Sequence, residues 1–264
     1  TADDPMSDDP MSGDPFLASL RAWAQDTPAV VALVLCGSSA ALARRDRWSD
    51  HDFLVVTVDG AAEAFRRDLS WLPDATRIGL WFQDTAHGLK ALYDDGLLVE
   101  LAVFDRSEFA DCALGDYAVV VDADGVQEQA AAIHARSARS SPVDPDLELG
   151  TFLTSVYIGT GRARRGERIS AGLHLRAWAV GHLLRLASDL VPEDHRGPLD
   201  VLDPARRVEQ VDPAFADDLD RALAHPVDDV GPLLLDVADR LCARHWPAYP
   251  AHQIAFVRGL LTTH

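Results

Sequence analysis

Residues 29–58 read AVVALVLCGSSAALARRDRWSDHDFLVVTV, and this stretch decides the fold of the first half of the chain. Residues 29–36 form a continuous apolar run rich in Val and Leu, which predicts a buried strand. The Gly-Ser-Ser sequence that follows opens a short predicted helix over 40–46. Residues 51–58 then predict a second strand, which Asp59-Gly60 ends.

The same reading extends outward along the first half. An amphipathic helix begins at Pro15, with Asp14 as its N-cap. Further strands are predicted at 76–83, 97–104 and 117–121. Helices are predicted at 61–69, 85–93 and 124–137. We therefore expect an α+β fold whose first domain, residues 14–140, is built on a mixed sheet.

A change of pattern marks the second half. Residues 138–147 are rich in Ser and Pro, which indicates a domain boundary. Helical periodicity follows at 147–165, 169–190, 213–224, 227–245 and 250–262, with one stripe of Leu173, Ala177, Val180, Leu184 and Ala187. We expect a helical, substrate-binding domain over 145–264, with the acceptor bound between the two domains. Residues 1–13, which repeat an acidic DDPMS unit, are predicted to be a disordered tail.

Composition excludes some classes of protein. The 24 basic and 42 acidic residues give a net charge of −18, which opposes a nucleic-acid surface and favours a cationic substrate. No apolar run is long enough to span a membrane and no secretory signal is present, so a cytoplasmic protein is expected. The three cysteines, Cys36, Cys112 and Cys242, lack disulfide or zinc-ligand spacing and are expected to be buried. The oligomeric state stays open.

Three acidic residues carry the chemistry. Residues two apart on a strand share a face, so Asp50 and Asp52 place two carboxylates side by side while His51 faces away. Glu100 interrupts the apolar strand LLVELAVF, where an unpaired buried charge would be costly. Two adjacent carboxylates favour a cation between them, and hard oxygen ligands suit Mg²⁺ or Mn²⁺. A divalent metal site is predicted if the two strands are neighbours.

Gly37-Ser38 supplies the complementary half of the site. Glycine permits a close backbone approach, and N–H groups at the start of a helix bind anions such as phosphate. Ser38 adds a hydroxyl donor. Carboxylate-held cations opposite a phosphate-binding turn are what phosphoryl and nucleotidyl transfer require.

These residues resemble a known family. Gly37-Ser38, eleven intervening residues, Asp50-x-Asp52 and the later strand acid Glu100 are similar to the signature of the DNA polymerase β-like nucleotidyltransferase superfamily. The motif covers about 65 residues. The helical second half resembles that of the antibiotic-modifying members, the aminoglycoside and lincosamide nucleotidyltransferases, by architecture more than by motif.

The resemblance implies a role for each residue. Asp50, Asp52 and Glu100 would ligate two Mg²⁺ ions, or Mn²⁺, and Glu100 would also act as general base. Gly37, Ser38 and Ser39 would hold the nucleotide. The reaction would move a nucleoside monophosphate to a hydroxyl of a small acceptor such as an aminoglycoside, and release pyrophosphate. ATP is the expected donor. Two alternatives stay open: a protein-nucleotidylylating enzyme of a toxin pair, and a nucleotide-binding module without turnover.

Each site residue also has a simpler interpretation. Asp50 and Asp52 could form a solvated turn, Glu100 could pair with an Arg, and Ser38 could be an N-cap. His51 is interpreted as a packing or supporting residue. In the segment GRARRGER, Arg162, Arg164 and Arg165 could clamp the triphosphate and Glu167 could supply an acid, or the segment could form a solvated helix end. Core packing is favoured for His174, His182, Trp81, Trp178, Trp246 and Tyr249 over metal or acceptor binding, and Lys90, the single lysine, receives no role.

Overall fold

The structure is a computed structural model that describes residues 13–40, 49–137, 143–197, 199–200 and 202–262. It divides into two compact units, with the division between residues 140 and 141. The predicted tail before Gly13 and the predicted helix after Ala40 lie outside the described residues. Within the described ranges, no helix is both long enough and apolar enough to cross a membrane. The assignment of catalysis to one unit and substrate binding to the other stays a prediction.

The first unit is built on six strands: β1 (Val30–Cys36), β2 (His51–Thr57), β3 (Ile78–Gln83), β4 (Gly88–Tyr93), β5 (Leu98–Asp105) and β6 (Tyr117–Asp122). They form one mixed sheet in the order β3-β4-β5-β2-β1-β6. Strands β2 and β5 are parallel, and the other neighbouring pairs are antiparallel. The predicted α+β class with a mixed sheet is therefore confirmed.

Two helices cover one face of this sheet, α1 (Pro15–Asp26) and α2 (Ala62–Arg67). The Asp14 side chain caps α1 by accepting from the Leu17 N–H at 3.1 Å, and Pro15 takes the first position, as predicted. These helices pack on the alternate strand residues that include Phe53 and Leu101. The residues between them point to the other side, because side chains alternate with a period of two along each strand.

The opposite face is only partly covered. Helix α3 (Val126–Ser137) and the 3₁₀ turn Glu108–Asp111 pack around Val56 and Phe104. Asp52 and Glu100 belong to this face, because each lies four residues before one of those side chains on the same strand. The polar end of the face is therefore open beyond the apolar cluster.

Strand β4 corrects one prediction, since residues 85–93 were expected to be helical. Leu89, Ala91 and Tyr93 alternate into the core, while Leu92 is exposed. The apolar residues at 89, 92 and 93 imitate helical spacing, but pairing with β3 and β5 decides the structure. Local propensity is overruled here by the neighbouring strands.

The second unit is helical, as predicted. Helix α4 begins after Asp144, which accepts from the Asp146 and Leu147 N–H groups, and Pro145 takes its first position. One core joins all the longer helices. The helices are α4 (Pro145–Arg164), α5 (Arg168–Gly172), α6 (Val180–Leu190), α7 (Val208–Val211), α8 (Pro213–Leu223), α9 (Val227–His245) and α10 (Ala251–Thr262).

A π-helical segment, Leu173–Ala179, joins α5 to α6 and alters the predicted stripe. Leu173 is exposed, whereas His174 and Leu175 are buried. The wider π turn rotates the helix face, so a 3.6-residue period cannot be carried through it. The predicted stripe is therefore wrong before Val180 and right after it.

The predicted packing of the aromatic and histidine side chains is confirmed at some positions and wrong at others. Trp246 and Tyr249 pack against the helical core as expected, whereas Trp178 and Trp81 are exposed, which corrects their assignment to core packing. His182 Nδ1 lies 2.7 Å from Glu148 Oε2. Among the cysteines, Cys242 is fully buried, and Cys36 and Cys112 are partly buried. All three are free thiols, and the expected burial is complete only for Cys242.

Candidate active site

Asp52 and Glu100 are direct partners on the parallel strands β2 and β5. Cross-strand partners share a sheet face, so both carboxylates point to the open side. Asp50, immediately before β2, completes the group: one ligand atom from each of the three residues lies within 4.8 Å of the others. The three residues predicted from two distant segments therefore come together in space.

The turn after β1 brings the backbone against this cluster. Gly37 has a φ of +54°, and a Cβ atom built there would lie 3.2 Å from Asp52 Oδ2. A residue with a side chain would be strained by the left-handed backbone conformation, and its Cβ atom would also crowd the Asp52 carboxylate. The Gly37 N–H donates to the Asp116 carbonyl at 2.9 Å, so this N–H is already used within the protein.

Ser38 and Ser39 have different surroundings. Ser38 is half-buried in the 3₁₀ turn Gly37–Ala40, and its hydroxyl makes no hydrogen bond with a described residue. Ser39 is fully buried; its hydroxyl accepts from the Asp52 N–H at 3.0 Å and donates to the Asp50 carbonyl at 3.4 Å. This geometry favours a positioning role for Ser39 over the predicted nucleotide contact, because its hydroxyl already bridges the two acidic residues.

Lys90 is the site residue that the sequence reasoning missed. It is the direct cross-strand partner of Glu100 on β4, and its Nζ lies 2.5 Å from Glu100 Oε1. Hydrogen bonding to Glu100 raises the pKa of Lys90 even though desolvation opposes the rise, and the charges of Glu100, Asp84 and Asp52 add to it. The signal could have been found only by placing residues 88–93 on a strand beside Glu100.

Glu100 itself differs from its predicted environment. It was expected to be buried and, in the simpler interpretation, to pair with an Arg. About a third of its side chain is exposed, and it pairs with Lys90. The reason is the pleat: Val99 and Leu101 fill the covered face, and Glu100 points to the open one. Its Oε2 atom has no hydrogen bond or ion pair with a described residue.

His51 lies on the other face of β2, as predicted. Its Nε2 is 3.3 Å from Asp14 Oδ2, and its ring packs against Phe16 at a centroid distance of 5.1 Å. His51 therefore supports the start of the strand that carries Asp52. Cys36 lies on the opposite face, with the cluster around Val56 and Phe104, and the pKa of its thiol is raised by burial and then by the charge of Asp52.

Arg165, the other predicted nucleotide contact, belongs to the second unit. It ends α4, is exposed, and its Nε lies 2.9 Å from Glu167 Oε1. Arg162 and Arg164 are held within the same unit by Ser170 and the Leu261 carbonyl. The nucleotide contact of Arg165 stays a prediction.

Comparison with known proteins adds little to this geometry. No family model matches the chain, and no curated protein sequence matches it. A solved structure, that of an aminoglycoside 6-adenyltransferase from Bacillus subtilis, aligns over 94% of this chain and 96% of its own at 11% identity, with a TM-score of 0.40. That TM-score is too low to support an inference about this chain, so the chemistry of the site rests on its own residues.

The cluster fits a divalent cation. Asp50, Asp52 and Glu100 offer three hard oxygen donors within one ligand shell, and Lys90 offsets only one of their three charges. Carboxylate oxygens of this kind are the preferred ligands of Mg²⁺ and Mn²⁺. The fold and site thus define an α+β protein with a partly exposed cluster of three carboxylates on an open sheet face.

Proposed function

We propose that the chain is a metal-dependent nucleotidyltransferase that moves a nucleoside monophosphate to a hydroxyl of a small acceptor. ATP is the expected donor. The observation that carries this proposal is the meeting of Asp50, Asp52 and Glu100 within 4.8 Å beside the Gly37 turn. When bound, Mg²⁺ would stabilise charge on the transferring phosphoryl group.

The chain's own residues would divide the remaining work. Asp50 and Asp52 hold the cation, and the Ser38 hydroxyl donates to a phosphate oxygen on the β1 side of the cluster. Glu100 accepts the proton of the acceptor hydroxyl through the oxygen that Lys90 leaves free. The acceptor oxygen then bonds to the α-phosphorus, the bond from that phosphorus to the bridging oxygen breaks, and pyrophosphate leaves.

The test follows pyrophosphate release from ATP and Mg²⁺ with purified protein and a panel of aminoglycosides and lincosamides. We expect at least one acceptor to stimulate turnover, and Asp52→Asn to lower it by about 100-fold or more because a metal ligand is lost. Asp74→Asn is the matched control: it makes the same charge change at an exposed turn residue with φ of +51°, which Asn adopts readily.

Two outcomes would favour a rival of this proposal, and a third result tests Arg165. Transfer of labelled AMP to protein in a lysate, without stimulation by any small acceptor, would favour a protein-nucleotidylylating enzyme. ATP binding that is indifferent to Mg²⁺ and to Asp52→Asn would favour a nucleotide-binding module without turnover. Loss of ATP affinity in Arg165→Gln would support the predicted phosphate contact of Arg165.

A further inference from the structure

Three exposed apolar side chains lie on strands β3 and β4 next to the candidate active site. Leu80, Phe82 and Leu92 are 54%, 46% and 40% exposed. Leu80 and Leu92 are direct cross-strand partners, and Phe82 is the cross-strand partner of Lys90. We call Leu80, Phe82 and Leu92 the apolar shelf. Contiguous exposed apolar surface is unusual and often marks a binding site.

The apolar shelf and the acidic cluster share one face of the sheet. Strand pairing places Phe82 opposite Lys90, Lys90 opposite Glu100, and Glu100 opposite Asp52. These four side chains form a row across β3, β4, β5 and β2. The ring of Phe82 is therefore followed by the Lys90 ammonium group and then by the two carboxylates, all on one face of the sheet.

The row also has a direction. Gly37 follows β1, which lies on the far side of β2 from β5, so the proposed phosphate turn is at one end of the row and the apolar shelf is at the other. In-line transfer places the incoming hydroxyl opposite the leaving pyrophosphate. The acceptor must then approach from the side of Glu100 and Lys90.

We propose that the apolar shelf binds the acceptor, and that the acceptor is a hydroxylated ring, such as a glycoside, with an apolar substituent or face. This inference rests on the proposed function, because the phosphate turn sets the direction of approach. The reacting hydroxyl lies at Glu100 and the apolar part covers Phe82. Lys90 disfavours an ammonium group directly beside the reacting hydroxyl, so charge is not the main recognition element there.

The first experiment compares two probes with the same sugar hydroxyls. Octyl β-glucoside, below its micelle concentration, and methyl β-glucoside are titrated by calorimetry into the full chain with Mg²⁺ and a non-hydrolysable ATP analogue. We expect the octyl compound to bind at least about ten-fold more tightly, because only it can bury apolar surface on the shelf.

Two variants on one strand then locate the binding. Phe82→Ala removes the centre of the shelf, and Trp81→Ala is its matched control. Trp81 is a neighbouring aromatic residue, 44% exposed, that points to the opposite face of β3. We expect Phe82→Ala to weaken octyl β-glucoside by about five-fold or more and Trp81→Ala to leave it unchanged. Affinity for the ATP analogue should be unchanged in both.

Several results would overturn this inference. Equal affinities for the two glucosides, or equal losses in the two variants, would exclude a specific apolar shelf. Concentration-dependent dimers that both variants dissociate would instead assign the β3 edge to a second copy of the chain. If the ATP analogue fails to bind while octyl β-glucoside still depends on Phe82, the proposed function fails and the shelf is a ligand site without an acceptor role.

Discussion

Lys90 Nζ lies 2.5 Å from Glu100 Oε1, on the strand next to the one that carries Glu100. The ammonium group therefore competes with a metal ion for the acidic cluster and also fixes the rotamer of Glu100. We expect Lys90→Met to raise the affinity for Mn²⁺ by about five-fold, because a partly screened positive charge is removed. Turnover should fall by about ten-fold or more, because the base loses its support.

Lys90→Arg is the control for the expected rise in Mn²⁺ affinity and fall in turnover of Lys90→Met. It keeps the charge, so the Mn²⁺ affinity measured by electron paramagnetic resonance should stay close to that of the native chain. A Lys90→Met variant that binds Mn²⁺ more weakly would show that Lys90 does not act on the cluster through its charge.

Gly37→Ala tests the contact between the turn and the metal ligand. The substitution places a side chain at φ of +54° and a Cβ atom 3.2 Å from Asp52 Oδ2. We expect a loss of about 1–2 kcal/mol in the free energy of unfolding, measured with urea, from the left-handed backbone alone. Mn²⁺ affinity should fall as well, because Asp52 is displaced.

Gly60→Ala is the matched control, because it introduces the backbone strain without a contact with Asp52. Gly60 also has a positive φ, +86°, but a Cβ atom built there meets nothing within 4 Å. Its stability loss should be similar to that of Gly37→Ala while Mn²⁺ affinity is retained. Equal Mn²⁺ affinities in the two variants would contradict a specific contact with Asp52.

Ser39→Ala tests the buried bridge to the acidic segment. The Ser39 hydroxyl accepts from the Asp52 N–H and donates to the Asp50 carbonyl. We expect the free energy of unfolding to fall by about 1–3 kcal/mol, because buried polar partners lose a hydrogen bond. Metal affinity should fall in parallel. Ser19→Ala, whose exposed hydroxyl donates to the Pro15 carbonyl within α1, should be nearly neutral by the same urea measurement.

The meeting of Asp52 and Glu100 could be anticipated because it depends on simple periodicity. A buried strand fixes which residues share a face, and the predicted proximity required only that β2 and β5 be neighbours. That neighbour relation was stated as a condition, since pairing between residues 48 positions apart is not encoded locally. The role of Asp50 and Asp52 as ligands stays a prediction.

Lys90 could not be anticipated for the opposite reason. Its segment has apolar residues at both strand and helix spacing, and the exposed Leu92 hides the alternation of Leu89, Ala91 and Tyr93. The π-helical segment Leu173–Ala179 is a second case, because its register depends on packing rather than on sequence period. Both misses arise where non-local contacts decide the backbone.

Asp212 gives a prediction for the second unit, independent of the active site. Its buried carboxylate caps α8 by accepting from the Phe215 N–H at 2.9 Å, and it pairs with His245 and Arg244. Desolvation alone would raise the pKa of Asp212, but these hydrogen bonds and the Arg244 charge outweigh it and lower the pKa below the usual range. A carboxylate whose folded pKa is depressed stabilises the fold above its unfolded pKa, and that stability is lost as the pH falls through the folded value.

Urea unfolding should therefore show a loss of stability below about pH 4. Asp212→Asn, which keeps a capping side chain, should lower stability at pH 7 by about 1–2 kcal/mol and flatten this acid dependence. An unchanged acid dependence in Asp212→Asn would assign the loss to other carboxylates, such as Asp218 or Glu148, whose pKa values are also lowered after hydrogen bonds from Arg and His side chains outweigh desolvation.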